Sequence, residues 1–200
     1  MRDYPKKNCL ICTQTKKMQK ICLLILKLLN YKFDVANIPK EKKYVLIFAP
    51  HTSWTDFAVG KIALTAMGIK PAFLMKKELF FFPLENYLRY LGGYPVDRKR
   101  AHKLTETLAE YIKEKEEIVL LIAPEGTRKK VETWKRGFYY IARNAGVPIA
   151  LGYLDYRDKK GGIGPVFELT GNYDADLQEI QKFYRGMKGK RKGRFNLESF

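Results

Sequence analysis

Two stretches of the chain are almost purely apolar, and both end at a proline. They cover residues 44–49 and 118–123, and they are followed by Pro50 and Pro124. Apolar runs of this length, without the alternation of a half-exposed strand, are typical of strands buried on both faces of a parallel sheet. The pattern therefore predicts two central strands whose carboxyl ends lie where the prolines begin.

Helical and extended patterns alternate through the rest of the sequence. Helices are predicted over residues 56–67, 83–91, 102–114, 135–145 and 174–187, and further strands over residues 72–75, 148–154 and 164–169, the last as an outer strand. For the helix over 56–67 we expect Thr55 as the N-cap and Gly68 as the stop. The alternation predicts an α/β fold, in which a single domain has a mostly parallel central sheet flanked by helices.

Residues 1–30 form a basic region of a different character. The apolar stretch over 21–26 falls well short of the ~20 residues that a membrane-spanning helix needs, and Lys16, Lys17 and Lys20 precede it. A basic amphipathic helix favours a position in the membrane interface, and the alternative is a helix packed on the domain's own core. We expect a membrane-associating region over 1–30, a main domain over 31–187 and a basic tail over 188–200.

The charge balance narrows the classes of partner. The chain has 38 lysines and arginines against 21 aspartates and glutamates, a net charge of +17. Such an excess favours nucleic acid, an anionic membrane surface or acidic metabolites as partners. The basic stretch over 188–194 is compatible with a nucleic-acid-binding module, although no standard nucleic-acid motif accompanies it. Charge alone leaves the three classes open.

Cysteine usage favours neither a disulfide framework nor a metal site. The three cysteines, Cys9, Cys12 and Cys22, all lie in the N-terminal region. The spacing of Cys9 and Cys12 fits half of a metal site, but no second cysteine pair or histidine cluster completes it. We therefore predict reduced thiols and no metal.

A histidine and an aspartate follow the first buried strand. A histidine such as His51 is the usual general base, and a carboxylate such as Asp56 can hold its second nitrogen and stabilise the imidazolium. A turn from strand into helix would bring the two together, and the helix N-terminus would favour the ionised carboxylate. The alternative is a loop histidine, with Asp56 serving only the helix start. No nucleophile elbow surrounds Ser53, so such a dyad would activate a substrate hydroxyl directly.

Two other segments combine glycine with cationic side chains. One follows the second buried strand and consists of Glu125, Gly126, Thr127 and Arg128; the other covers residues 92–98 and ends at Arg98. An arginine offers a bidentate fork for phosphate or carboxylate. The alternatives are a polar turn for the first segment and a helix C-cap with a solvated basic stretch for the second. Ligands of parallel sheets bind beyond the carboxyl ends of the strands, where both His51 and Arg128 are expected.

Taken in this order, the segments resemble the glycerolipid acyltransferase family of the bacterial lysophosphatidate acyltransferase type. His51 and Asp56 match its His-x4-Asp motif, and residues 92–98, 125–128 and 147–149 match its second, third and fourth blocks. The resemblance covers about residues 43–155. The chain departs from the usual pattern at Pro50, Pro95 and Lys129, which leaves the acceptor open.

The resemblance implies an enzyme that moves a fatty acyl group from acyl-CoA or acyl carrier protein, as co-substrate, to the hydroxyl of a lysophospholipid-like acceptor. His51 would be the general base and Asp56 would orient it, while Arg98 and residues 125–128 would hold the acceptor headgroup. It implies no metal or bound cofactor, and a peripheral position on the cytoplasmic face of a bacterial inner membrane. The alternatives are a hydrolase with the same dyad, a nucleic-acid-binding module and an inactive lipid-binding relative.

Overall fold

The two apolar runs form neighbouring strands at the centre of a seven-stranded sheet. The computed structural model describes residues 16–34, 37–96 and 101–197, with the backbone alone at residues 101 and 102. The strands are β1 (Lys32–Asp34), β2 (Lys43–Ala49), β3 (Pro71–Lys76), β4 (Gly93–Val96), β5 (Ile118–Ile122), β6 (Ile149–Asp155) and β7 (Lys160–Phe167). Their order across the sheet is β1-β7-β6-β2-β5-β3-β4.

Strand direction confirms the predicted fold class. Strands β2 to β6 run parallel to one another, whereas β7 is antiparallel to β6 and β1 pairs in parallel with β7. Two details of the sheet differ from the sequence-based prediction. The strand expected at the outer edge, β7, is covered by the unpredicted β1, and the unpredicted β4 lies in the segment 92–98, for which a binding site or a helix C-cap with a solvated basic stretch was expected. Both missed strands are only three or four residues long, too short to carry a periodic signal.

Helices cover both faces of the sheet. They are α1 (Lys16–Leu28), α2 (Trp54–Ala66), α3 (Leu84–Tyr90), α4 (Ala101–Glu114), α5 (Gly137–Ala145) and α6 (Tyr173–Tyr184). On one face, Val45 and Ile47 of β2 share a core with residues of α4, α5 and α6. On the other, Leu46 packs with Leu64 of α2. The sequence of β2 is apolar without interruption because its alternate residues are buried on opposite faces of the sheet.

Helix α2 begins at Trp54, two residues earlier than predicted, because its N-cap is Ser53 and not Thr55. The Ser53 hydroxyl accepts a hydrogen bond from the Thr55 N–H, and the Asp56 carboxylate accepts one from the Ser53 N–H. The bond to Asp56 and the one that the Ser53 side chain accepts from the Asp56 backbone N–H form a capping box, with aspartate in the place of the more usual glutamate. The helix ends at Ala66, and Gly68, at φ +76°, lies just beyond the end as expected for a stop.

Helix α1 packs on α2 through one face and exposes another apolar face to solvent. Cys22 and Leu26 are buried in the cluster that joins the two helices. Ile21, Leu24 and Leu28 are 42%, 57% and 76% exposed. No helix in the described part of the chain is long and apolar enough to cross a membrane.

The basic segment that follows α6 folds back onto the domain. We call residues 188–197 the C-terminal strap. Phe195 and Leu197 are buried in the main core, and Asn196 bonds to the Trp134 indole and to the Glu132 carbonyl. The described part of the predicted tail is therefore packed against the domain and does not extend away from it.

Candidate functional site

The candidate site lies beyond the carboxyl ends of three adjacent parallel strands, β2, β5 and β6. The connection from β2 into α2 (residues 50–56, the β2–α2 connection) carries His51 and Asp56. The connection from β5 into α5 (residues 123–136, the β5–α5 connection) carries Glu125 and Arg128. Segments far apart in the sequence converge here because the ends of parallel strands meet at one edge of the sheet.

The structure brings His51 and Asp56 together, as their spacing predicts. The His51 Nδ1 lies 3.5 Å from the Asp56 Oδ2, and the histidine side chain is 25% exposed whereas the carboxylate is fully buried. The separation is longer than a strong hydrogen bond, but it is short enough for a charge to stabilise an imidazolium. The second ring nitrogen, Nε2, has no hydrogen-bond partner within the described residues.

Backbone and side-chain donors hold the Asp56 carboxylate. Its Oδ2 accepts hydrogen bonds from the backbone N–H groups of Thr52, at 2.6 Å, and of Ser53, at 2.7 Å. Its Oδ1 accepts one from the Tyr156 hydroxyl, at 2.7 Å. These bonds compensate the burial of the charge and fix the orientation of the carboxylate. Asp56 thus serves both the helix start and the contact with His51, although the sequence analysis set these roles as alternatives.

Tyr156 is a site residue that the sequence analysis missed. It directly follows β6, the parallel neighbour of β2, and its ring also packs edge-on against Tyr31. Burial chiefly raises the pKa of its phenol, and the hydrogen bond to the Asp56 carboxylate raises it further. The phenol is therefore a stable donor to Asp56 at neutral pH. Its place after a central strand was the available signal, but that strand order is not visible in the sequence.

Burial and a neighbouring cation keep His51 neutral. Burial is the largest cause that lowers its pKa, the Asp56 carboxylate opposes it, and the Arg128 guanidinium lowers the pKa further. A neutral imidazole can accept a proton, so the surroundings favour the form that a general base needs.

Glu125 lies beneath the histidine and links the two connections. Its Oε1 accepts a hydrogen bond from the His51 backbone N–H at 3.0 Å, and the side chain is only 2% exposed. Burial raises the pKa of its carboxyl from 4.5 to about 7, against the effect of the His51 bond. The Oε2 is buried without a hydrogen-bond partner among the described residues. The structure therefore places Glu125 where it supports the His51 backbone.

Gly126, Thr127 and Arg128 continue from Glu125 to the surface. Gly126 has φ +67°, and a Cβ there would come within 3.1 Å of the Lys135 side chain, which explains the glycine. The Arg128 guanidinium stacks on the Trp54 ring, with its carbon 3.7 Å from the ring centroid. Its Nη1 is buried and has no hydrogen-bond partner in the described part of the chain.

A surface cavity of about 280 Å³ opens between these segments. Its wall is formed by the β2–α2 connection with the start of α2, by the β5–α5 connection and by the C-terminal strap. The lining residues are Thr52, Ser53, Trp54, Thr127, Arg128, Lys129, Arg191 and Arg194. Four of them are cationic and none is acidic, so the cavity attracts anions.

Two sequence-based predictions fall wholly or partly on residues that the structure does not describe. Arg98 lies outside the described residues, as do Cys9 and Cys12. Within 16–34, 37–96 and 101–197, no group of three or more histidine, cysteine, aspartate or glutamate side chains could hold a metal ion.

Comparison with known proteins gives two findings. The model of the Acyltransferase family matches residues 32–150. The structure is similar to the crystal structure of the 1-acyl-sn-glycerophosphate (LPA) acyltransferase PlsC from Thermotoga maritima, with a TM-score of 0.60 and 21% sequence identity over 84% of this chain and 75% of that chain. At this identity the likeness shows a shared fold. No curated protein sequence matches the chain.

Proposed function

The chain belongs to the acyltransferase family, whose model matches residues 32–150, and from that premise we propose that it acylates a lysophospholipid-like acceptor. The donor is a fatty acyl thioester, either acyl-CoA or acyl carrier protein. The observation that carries the proposal is the pairing of a partly exposed His51 with the fully buried Asp56 beside an anion-attracting cavity.

His51 acts as the general base in this reaction. Its Nε2 takes the proton from the acceptor hydroxyl, and the oxygen attacks the thioester carbonyl carbon. The tetrahedral intermediate collapses, the carbon–sulfur bond breaks, and the thiolate takes the proton from His51 to leave as a thiol. Asp56 stabilises the imidazolium that exists between the two proton transfers. The thioester is already activated, so positioning and one proton shuttle are sufficient and the reaction needs no metal or bound cofactor.

The acceptor headgroup binds along the β5–α5 connection. The Arg128 guanidinium lines the cavity, and Gly126 and Thr127 form the exposed turn beside it. Glu125 contributes by holding the His51 backbone in place. Arg98 remains the second proposed headgroup residue, from its match to the family's second block.

The amphipathic α1 is the proposed contact with an anionic membrane surface. Its exposed apolar side chains, Ile21, Leu24 and Leu28, lie on the same helix as Lys16 and Lys20. Apolar insertion combined with lysine contacts to anionic lipids binds a helix in the interface plane. Leu24→Glu should weaken sedimentation with phosphatidylglycerol-containing vesicles, and Lys182→Gln, on α6, is the control with the same change in net charge. Equal loss in both variants would leave only a general charge effect.

The test of the function is acyl transfer from labelled acyl-CoA, or from acyl carrier protein, to a panel of lysolipids. Because the fold is shared with a 1-acyl-sn-glycerophosphate acyltransferase, lysophosphatidate is the first acceptor to try. A lipid product that depends on His51 would support the proposal. Release of free fatty acid alone would assign the site to hydrolysis, and no reaction with either donor would contradict the proposal.

A further inference from the structure

The C-terminal strap is fixed to the domain at both ends. At its start, the Lys188 N–H donates to the Asp155 Oδ1, and the Lys188 carbonyl accepts from the Tyr156 N–H. At its end, Phe195 and Leu197 are buried in the main core. The residues between these anchors are therefore held over the edge of the sheet where the candidate site lies.

The middle of the strap contacts the β2–α2 connection directly. The Arg191 backbone N–H donates to the Thr52 Oγ1 at 3.2 Å. A Cβ on Gly189 would come within 2.5 Å of the Thr52 Cγ2, so only glycine allows this close approach. Since Thr52 is the neighbour of His51, the strap is held one residue from the proposed base.

Two strap arginines supply half of the cationic groups in the cavity. Arg191 and Arg194 line it from one side, and Arg128 and Lys129 line it from another. Within the described residues, no carboxylate lies within ion-pair distance of any of these four side chains. Four cations that converge without a protein counter-charge repel one another unless an anion joins them.

The unpartnered nitrogen of Arg128 gives an independent sign of a ligand. Its Nη1 is buried, and a buried guanidinium N–H that lacks an acceptor is costly. The Trp54 ring fixes the plane of this guanidinium from one face. An oxygen-rich anion in the cavity would supply the missing counter-charge to the Arg128 guanidinium, which lines it.

We propose that Arg191 and Arg194 of the C-terminal strap complete a binding site for a phosphomonoester, together with Arg128 and Lys129. A phosphate dianion carries enough charge and enough oxygens to bind several arginine forks. The strap lies outside residues 32–150, the part of the chain that the family model matches, so these two arginines are a feature of this chain beyond the matched domain. The inference deepens the proposed function and rests on it for the identity of the substrate.

The phosphomonoester could be carried by either substrate of the proposed reaction. One source is the phosphate headgroup of the acceptor, and the other is the 3′-phosphate of coenzyme A in the donor. Both present the same group to the cavity. The experiment therefore has one arm for each source.

Binding is measured first, without catalysis, by titrating the full chain with sn-glycerol 3-phosphate and, separately, with adenosine 3′,5′-bisphosphate. We expect the Arg191→Gln variant to bind one of the two probes about tenfold more weakly, because one charge-assisted contact is lost. Lys192→Gln is the matched control, since Lys192 is an exposed strap cation that does not line the cavity. The Arg191 backbone bond to Thr52 survives the substitution, and an unchanged melting temperature checks the fold.

Three binding results would overturn the inference. They are the absence of binding of either probe to the unmodified protein, an equal loss in Arg191→Gln and Lys192→Gln, and unchanged binding in the double variant Arg191→Gln/Arg194→Gln. If only the binding of sn-glycerol 3-phosphate is weakened, the site belongs to the acceptor. If only the binding of adenosine 3′,5′-bisphosphate is weakened, the site belongs to the donor, and the headgroup role proposed above for Arg128 is replaced by a donor role.

Kinetics then separate this inference from the proposed function. With lysophosphatidate as acceptor, Arg191→Gln should raise the KM of the assigned substrate about tenfold and leave kcat nearly unchanged. With a monoacylglycerol, or with acyl-pantetheine as donor, the effect on that substrate should disappear because no phosphomonoester is present. An undiminished effect would contradict the phosphate site while acyl transfer stands. Phosphate binding without acyl transfer would contradict the proposed function while the phosphate site stands.

Discussion

The two connections that form the site differ in how completely their polar groups are satisfied. In the β2–α2 connection, the Asp56 carboxylate accepts hydrogen bonds from Thr52, Ser53 and Tyr156. In the β5–α5 connection, Glu125 Oε2 and Arg128 Nη1 are buried without partners, and within the described residues these are the only such side-chain atoms. The first connection is organised by the protein itself. The second has polar atoms left unsatisfied, and this difference agrees with the proposal that the first connection performs the chemistry and the second binds substrate.

The largest effect is expected from removing His51, the proposed base in the β2–α2 connection. His51→Ala should reduce kcat about 10²- to 10⁴-fold, the usual range for a positioned general base. Its effect on folding should be small, because the histidine side chain is partly exposed and Asp56 is its only ionic partner within the described residues. Steady-state kinetics and circular dichroism measure the two quantities. Undiminished turnover in a folded His51→Ala protein would remove the histidine from the mechanism.

The second prediction concerns the buried carboxyl of the β5–α5 connection. The pKa of Glu125 rises from 4.5 to about 7, so the folded protein binds its proton more tightly than the unfolded chain. The resulting stability is full below pH 4.5 and is lost as the pH rises through about 7, a change of about 3 kcal/mol. Glu125→Gln should therefore gain about 3 kcal/mol relative to the unmodified protein between pH 4 and pH 8.

Urea unfolding at several pH values measures this difference. Glu132→Gln is the matched control, because Glu132 is an exposed carboxylate of the same connection. In the Glu125→Gln variant, the introduced amide oxygen can still accept the bond from the His51 N–H, so the comparison changes charge and not shape. A pH-independent difference between Glu125→Gln and the unmodified protein would contradict the prediction.

The third prediction concerns Arg128, which we expect to affect both substrate binding and the protonation of His51. Arg128→Gln should raise the KM of the phosphate-bearing substrate about tenfold, since a charge-assisted contact is lost. It should also shift the acidic limb of the kcat profile to higher pH. The sign follows because the Arg128 charge lowers the His51 pKa, and its removal lets that pKa rise. Lys130→Gln, at an exposed neighbour that does not line the cavity, is the control, and an unshifted limb would contradict the coupling.

The smallest effect is expected from removing one of the several hydrogen-bond donors to Asp56. Tyr156→Phe removes one of its donors and leaves the two backbone bonds, so kcat should fall a few-fold with KM unchanged. Tyr153→Phe, on the preceding strand, is the control. A change in KM alone would indicate that Tyr156 contacts substrate and does not position Asp56.

The central part of the fold could be predicted from the sequence because its signals are local. The buried strands β2 and β5 are almost entirely apolar, and the helix between β2 and β3 is bounded by Ser53 and Gly68. The predicted cap, Thr55, was wrong because serine and threonine are both good N-caps, and only the backbone angles separate the two positions. The short strands β1 and β4 depend on their partners in the sheet, and so they could not be predicted from their own residues.

The site could be predicted only where its residues are close in sequence. His51 and Asp56 lie on one connection, and Glu125 and Arg128 on another, so each pair shows as a pattern. Tyr156 reaches Asp56 across 100 positions, and the Arg191 backbone reaches Thr52 across 139. Such contacts depend on strand order and on the path of the chain after α6. The basic composition of residues 188–194 indicated an anionic partner, but it gave no sign that this segment packs beside the candidate site.

The capping box has a consequence for how the site can change over generations. Loss of Asp56 removes the bonds that its carboxylate accepts from the Thr52 and Ser53 N–H groups at the start of α2, as well as the partner of His51, and a lost capping contact costs about 1 kcal/mol of stability. Selection for a folded protein therefore favours retention of this aspartate, even in a lineage that no longer needs the proposed reaction. His51 has no comparable protection. Among descendants of this chain that lose activity, the aspartate should outlast the histidine, and a retained Asp56 is by itself a poor marker of a working enzyme.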